Sequence, residues 1–469
     1  MTRSGKNAAG GREAKKAIRP VDVTEGLPVL NRNCAGIDVG SAEHYVAIPP
    51  GRGPQSVRKF GSFTADLFRL VTWLLDSGVE SVVMQATGVY WFGLYQMLED
   101  HGLKVVVTNA RYTKMLPGRK SDVQECQWLQ KLHTFGLLTP SFRPTEEFRV
   151  LRSYMRQREN LVTAAGICIQ LMQKTLTEMN VQLTNVLSDI SGKSGLAILR
   201  AVLQGQRDPY KLAELCDRRV KASRKEVAQS LEGHWRTELL FILQQNLDLY
   251  DTYSQKIADC DRKIEAHLQT MERKEKVAGL PLLPPRRQNM QPNRKHIPQF
   301  DLRTYLYQIT GVDLTQIDGI GVQTAQVVLS EVGNDMSKWQ TEKNFASWLG
   351  LSPDNPKTGG KVIKRGTKKV VNRAATALRL AARSLQRSQS ALGAKFRRFR
   401  SRMEAPKAIT AMADQLAKLM YRMLKFGGHY VDKGMEHYEQ KYREQHLRYL
   451  KKQAAKQGFQ LIPLEAVAR

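Results

Sequence analysis

No stretch of this chain approaches the ~20 consecutive apolar residues that a membrane-spanning helix requires. The first thirty residues are polar and basic, with no apolar segment of the kind a secretory leader carries, so they are expected to form a flexible arm. Cysteine is scarce and unpatterned: Cys34, Cys126, Cys168, Cys216 and Cys260 are odd in number and never spaced as Cys-x-x-Cys. That spacing excludes a disulfide framework and a zinc ribbon, and fits a reducing cytoplasm. No internal repeat is present. Acidic residues are the other shortage, with 44 Asp and Glu against 73 Lys and Arg, a net charge of +29 over 469 residues. Such an excess repels itself in a compact fold unless a polyanion is the usual partner. Nucleic acid is the commonest such partner, an acidic membrane surface being the alternative. Hydrophobic content of 42% excludes wholesale disorder.

The lack of acids is sharpest late in the chain. Between Asn355 and Arg402 stand 15 Lys or Arg residues and neither Asp nor Glu. Solvated faces normally mix signs, so this window favours phosphate contact. Lys361, Lys364, Arg365, Lys368 and Lys369 alternate there with Gly360 and Gly366, ahead of a helix expected from about Val370 to Leu385 that carries Arg373. Just upstream, LTQIDGIGVQTAQVVLSEVG (314–333) reads as two short helices joined by a Gly-Ile-Gly hairpin, a helix-hairpin-helix unit. Gly319 and Gly321 would let the backbone approach a DNA phosphate, and the helix start at Thr324 would offer free N–H groups. A plain helical turn with glycine caps is the other reading.

From Cys34 onward the pattern is one of strands. CAGIDVG, HYVAIP and SVRKFGSF are short runs broken by Gly and Pro, followed by a helix near Thr64 to Leu75. SVVMQAT then reads as a buried strand, VYWFGLYQMLEDHG as a helix and KVVVTNA as another buried strand. Three antiparallel strands followed by alternating helix and strand is the order of an RNase H-like α/β layer. Residues 146–271 read as helical, with Pro209 their only proline, and could form either a dimeric coiled coil or a helical hairpin within one chain. The expected segmentation is an arm at 1–32, an α/β domain at 33–145, a helical spacer at 146–271, a Pro-rich basic linker at 272–300, an α-rich domain at 301–427 and a basic helical tail at 428–469.

Within the first domain, Asp38 falls at the end of a strand, and Asp122 and Glu125 fall one helical turn apart, hence on one face. Clustered hard carboxylates are what divalent metals need for phosphodiester chemistry. An isolated Asp after a strand is more often a turn or cap residue, so the trio gains weight only from the basic chain around it.

The chain resembles the DEDD-type insertion-sequence transposases of bacteria, the one-ten family, particularly its four-ones branch, with the Piv pilin-gene invertase as more distant kin. The resemblance is carried by GIDVGSAEHYVA, ATGVYW, VTNARYTKMLPGRKSDVQECQWLQKLH, IDGIGVQTA, GLSPDNPKTGGKV, NRAATALRLAA and ALGAKFRRFRSRMEAPKAITAMADQLAKLMYRML, in order over most of residues 33–430. It implies a RuvC-like domain whose acidic tetrad binds Mg²⁺ and a C-terminal domain that supplies a hydroxyl nucleophile. It also implies spacer helices that build a dimer or tetramer, double-stranded DNA as substrate, a guide (bridge) RNA encoded by the element, and a nucleoid-associated setting without a membrane. Asp38 matches the first acid of the tetrad and Asp122 the third. Gln85 stands where the family pattern has Glu, Glu125 where Asp is usual, and Thr358 where Ser precedes Gly-Gly. Each replacement keeps an oxygen in the same role. Ser352 is a second candidate hydroxyl, with a turn role before Pro353 as its plainer reading. Two other functions compete: a Holliday-junction-type nuclease in which water attacks, and a non-catalytic DNA-binding relic.

Overall fold

The computed structural model describes residues 26–86, 88–109, 121–274, 282, 284, 297–363, 366–368, 372–427 and 434–461. The chain divides into two compact units, residues 1–142 and 143–469.

In the first unit the elements run β1 (Cys34–Val39), β2 (Glu43–Ala47), β3 (Val57–Gly61), α1 (Thr64–Asp76), β4 (Ser81–Gln85), α2 (Trp91–Asp100), β5 (Lys104–Thr108) and α3 (Asp122–Thr134). The five strands form one mixed sheet in the order β3-β2-β1-β4-β5. β1 pairs antiparallel with β2, and β2 with β3, whereas the β1–β4 and β4–β5 pairs are parallel. β4 lies between two parallel neighbours, which is why its five residues are buried throughout, with Val82, Val83 and Met84 as its apolar centre. The two faces separate by the period of two. Ile37, Val39, Val82 and Met84 pack against Leu67, Leu70, Val71 and Leu74 of α1 and Leu94 and Leu98 of α2. Val83 turns the other way, onto Leu129 and Leu132 of α3. Burying each such side chain contributes about 1.5–3 kcal/mol. This mixed five-stranded sheet with its helices is consistent with an RNase H-like layer.

The second unit begins with α4 (Glu146–Glu178), then α5 (Leu183–Val186), α6 (Lys193–Leu203), α7 (Pro209–Glu214), α8 (Arg224–Ser230) and α9 (Thr237–Thr270). α4 and α9 pack on one another along their length, so the helical-hairpin alternative describes this chain. A buried ion pair, Arg158 Nε to Asp261 Oδ1 at 2.5 Å, links them. The four short helices gather round Met172, Leu176, Ile198, Leu199 and Leu243. After the Pro-rich segment come α10 (Leu302–Thr310), α11 (Val322–Val332), α12 (Glu342–Trp348), the two-residue strands β6 (Lys357–Thr358) and β7 (Lys361–Val362), α13 (Arg373–Ser384), α14 (Ala391–Arg402), α15 (Ala405–Phe426) and α16 (Gly434–Lys456). α13 packs on both α11 and α15. Among the described residues no helix is long and apolar enough to cross a membrane.

One element departs from expectation. Upstream of the Gly-Ile-Gly loop a single 3-10 turn, Leu314–Gln316, stands where the first helix of a helix-hairpin-helix unit was expected. Asp313 explains it. Its carboxylate accepts from the Thr315 backbone N–H at 3.1 Å and the Thr315 hydroxyl at 2.6 Å, from Gln316 Nε2 at 2.9 Å, and from Arg303. A side chain that satisfies the local donors in this way competes with helix formation.

Candidate active site and nucleic-acid interface

The acidic cluster is assembled around a glycine. A Cβ built on Gly36 would collide with the backbone nitrogen of Gln130 and the backbone oxygen of Cys126, so α3 lies backbone-to-backbone against β1 at that point. A glycine inside a strand commonly marks such an approach. Asp38, two residues on, shares the face of Gly36 and therefore looks towards α3. The β1–β4 register pairs Ile37 with Met84, and the next positions in that register are Asp38 and Gln85. Ser121 caps the start of α3, its hydroxyl accepting from the Gln124 N–H at 3.4 Å, and the first turn carries Asp122 and Glu125. Negative charge is favoured there by the unsatisfied N–H groups of the helix start.

Two observations link the four positions. Gln85, 2% exposed, donates from Nε2 to Glu125 Oε1 at 2.6 Å. Burial pushes the Cys126 thiol up to about 12, and the carboxylates of Asp38 and Asp122 add to that shift, so both act on the same buried sulfur. Asp122 itself is exposed, while Asp38 and Glu125 are half-buried. Three carboxylates and an amide oxygen are hard donors and fit a divalent cation such as Mg²⁺. Their convergence is less complete: among the described residues no three His, Cys, Asp or Glu gather tightly enough to hold a metal ion. One Glu125 oxygen is instead taken up by Gln85.

Sequence reasoning passed over two features here. Gly36 carries the approach of α3, and its position in the middle of CAGIDV was the available signal. His133, near the end of α3, has its Nε2 3.1 Å from the Ser81 hydroxyl, and burial, reinforced by Lys104, lowers its pKa to about 4. A single buried histidine in a helix gives no such signal from sequence.

The candidate nucleophile lies in the second unit on a different kind of support. Thr358 pairs with Lys361 across the β6–β7 hairpin, and the turn is made by Gly359 and Gly360, with φ of +55° and +78°. Two consecutive positive φ values suit a two-residue hairpin turn and favour glycine at both places. Thr358, Gly359, Gly360 and Lys361 are all exposed. The base of the loop is tied by Asp354 N–H to Gly366 O at 2.7 Å and Gly366 N–H to Asn355 Oδ1 at 3.2 Å. Ser352 is engaged elsewhere: its hydroxyl donates to Asp414 Oδ1 at 2.8 Å, and Asp414, buried in α15, is also paired with Lys418.

The proposed DNA contacts divide. Lys361 and Lys368 are exposed, whereas Lys364, Arg365 and Lys369 lie outside the described residues. Arg373 opens α13 and pairs with Glu159 of α4, so its guanidinium already has an anionic partner. Gly319, with φ +87°, faces inward: a Cβ there would stand 2.9 Å from the Ala381 carbonyl and 3.1 Å from the Leu385 side chain. Its missing side chain admits α13 and the turn after it. Gly321 has open space around it at the start of α11, and Thr324 is half-buried one turn on.

Both candidate regions fall in segments that match known families. Residues 35–181 match the DEDD IS110 model, described as Transposase, and residues 313–397 match the Transposase IS116/IS110/IS902 family. A search of curated proteins gave no match.

Proposed function

We propose that this chain, whose two matched segments are those of an IS110-family transposase, is the recombinase of an insertion sequence and cleaves and rejoins DNA strands at defined sites. The observation that supports the reading is the Gln85–Glu125 hydrogen bond beside the close approach of α3 to β1 at Gly36. Asp38, Asp122, Glu125 and the amide oxygen of Gln85 would hold Mg²⁺, which when bound supplies positive charge to the oxygens of a phosphodiester undergoing displacement. The Thr358 hydroxyl attacks the phosphorus. Its proton leaves to a base, an O–P bond forms to the threonine, and the DNA strand departs with a free hydroxyl. Lys361 and Lys368 offset the negative charge that builds on the phosphate oxygens. A second strand then reverses the step and resolves the covalent intermediate. Attack requires the hairpin and the acidic cluster to meet on one phosphate, within one chain or between protomers of a dimer or tetramer. The four-ones branch, kinship to the Piv invertase, guidance by an element-encoded RNA and association with the nucleoid rest on the motif resemblance.

A suicide DNA substrate resolved on a denaturing gel tests the nucleophile. Thr358→Val, which keeps the shape and drops the hydroxyl, abolishes the covalent adduct; Thr358→Ser retains or raises it. An adduct that survives Thr358→Val, or maps to Ser352, names the wrong residue. Cleavage without any adduct favours the water-attacking nuclease. A second reading, a DNA-binding relic, draws on the Gln85–Glu125 hydrogen bond, which occupies a carboxylate oxygen that a metal would need. Covalent capture by the unmodified protein in Mg²⁺ eliminates it.

A further inference from the structure

The second of the two family-matched segments ends at residue 397, and the helix α16 lies wholly beyond both. α16 packs on α14, whose twelve residues include Lys395, Arg397, Arg398, Arg400 and Arg402 and no acid. Tyr442 makes that junction. The Arg398 guanidinium sits 3.5 Å from its ring centroid, and Arg402, 5.6 Å away, donates to its phenol oxygen. Tyr442 then begins a ladder. His446 and Tyr449 follow at i+4 and i+7, on the same face of the helix. The Tyr442 and His446 rings are 6.1 Å apart and inclined by 8°, and those of His446 and Tyr449 are 6.4 Å apart and inclined by 19°. These rings do not form a core: His446 is exposed and Tyr449 is 57% exposed. Beyond Glu444 the helix adds Arg448, Lys451, Lys452 and Lys456 with no further acid.

Nearly parallel rings, two of them left in solvent, on a strongly cationic helix pair have a chemical counterpart. Unpaired nucleic-acid bases stack on exposed aromatic faces while basic side chains follow the phosphates. A duplex hides its base faces and needs only the cations. An acidic protein surface likewise needs the cations and leaves the parallel rings without a role. We propose that α14 and α16 form a platform for an unpaired polynucleotide strand, with bases stacked on His446 and Tyr449 beyond the anchoring Tyr442 and phosphates held by the arginines and lysines beside them. Its residues are other than those of the acidic cluster and Thr358, and it goes beyond the strand-exchange reading, which it does not require.

The test uses the full chain and three fluorescent probes: a short oligo-U RNA, an oligo-dT of equal length, and a duplex DNA of the same number of base pairs. Tyr442 is left intact because it holds α16 on α14. The double variant His446→Ala/Tyr449→Ala is expected to lose about tenfold or more in affinity for the single-stranded probes, while duplex affinity changes by less than about twofold. His446→Phe/Tyr449→Phe, which keeps the rings, retains single-strand binding. Tighter binding of oligo-U than of oligo-dT identifies an RNA strand, the reverse a DNA strand, and either outcome carries the proposal. Equal losses on duplex and single strands, no loss in the Ala variant, or a loss in the Phe variant each overturn it. Covalent capture of duplex substrate, measured on the same preparations, depends on Thr358 and stays unchanged, so failure of the platform is distinguishable from failure of the recombinase reading.

Discussion

The carboxylates of the first unit and the hydroxyl of the second are supported by opposite means. Asp38 and Gln85 end neighbouring strands of a sheet, and Asp122 and Glu125 open a helix that Gly36 admits to backbone contact. Thr358 occupies a two-residue strand beside two glycines with positive φ, and every residue from Pro353 to Ile363 is exposed. Groups that must share one cation have to be placed precisely, which calls for packed support rather than an exposed loop. A hydroxyl that must be delivered to a phosphate needs reach, and an exposed hairpin supplies it.

The largest effect expected from breaking this contrast is on the packed side. Asp38→Ala or Asp122→Ala lowers strand cleavage by about a thousandfold or more while duplex binding holds, since an ion at such a site contributes several kcal/mol to the transition state. Cleavage assays in Mg²⁺ and in EDTA check it, and full activity in EDTA would sink the metal assignment. Next comes Gly36→Ala. The obstacles to its methyl group are backbone atoms of α3, which cannot rotate aside, so the first unit loses about 1–3 kcal/mol and cleavage falls with it. Urea denaturation and the cleavage assay read this together; a variant as stable and active as the parent would show that close approach does not place the carboxylates.

A third effect comes from His133. Its folded pKa of about 4 lies below the ordinary 6.5 for histidine, because burial disfavours the charged ring. The unfolded chain therefore takes up the proton first. The stability contributed by the neutral ring is fully present above pH 6.5 and is lost as pH falls towards 4, amounting to about 2 kcal/mol between pH 7 and 5. Hydrogen exchange in β4 and α3 measured over that range should show the loss, and His133→Gln should flatten it. On the hairpin side the effect is smaller per residue. Neutralising Lys361, Lys364, Arg365, Lys368 and Lys369 should flatten the dependence of log affinity on log salt by about 0.9 for each duplex phosphate contact removed. An unchanged slope would assign these residues to ordinary surface.

Much of the first unit was legible because its signals are local. The runs CAGIDV, EHYVA and SVVMQ became β1, β2 and β4, and the apolar spacing of Leu67, Leu70, Val71 and Leu74 marked the buried face of α1. The Gly-Ile-Gly loop was only half legible. The same glycines fit a phosphate approach or a close helix contact, and at Gly319 the contact with the Ala381 carbonyl and Leu385 is what the fold uses. Arg373 illustrates the same limit: it belongs to the acid-free run, yet its partner Glu159 lies 214 residues away.

By itself the amino-acid sequence determined the polyanion-seeking charge, the order of strands and helices, and the positions of Asp38, Asp122 and Glu125 at element ends. Periodicity and capping act over a few residues, so they can be read without the fold. Only the tertiary structure decided which of these groups meet. The Gln85–Glu125 hydrogen bond spans 40 residues, and the Ser352–Asp414 bond that engages the second candidate hydroxyl spans 62. Such pairings depend on how whole elements pack: the side-chain-free approach at Gly36 sets the first, and the burial of Asp414 within α15 sets the second.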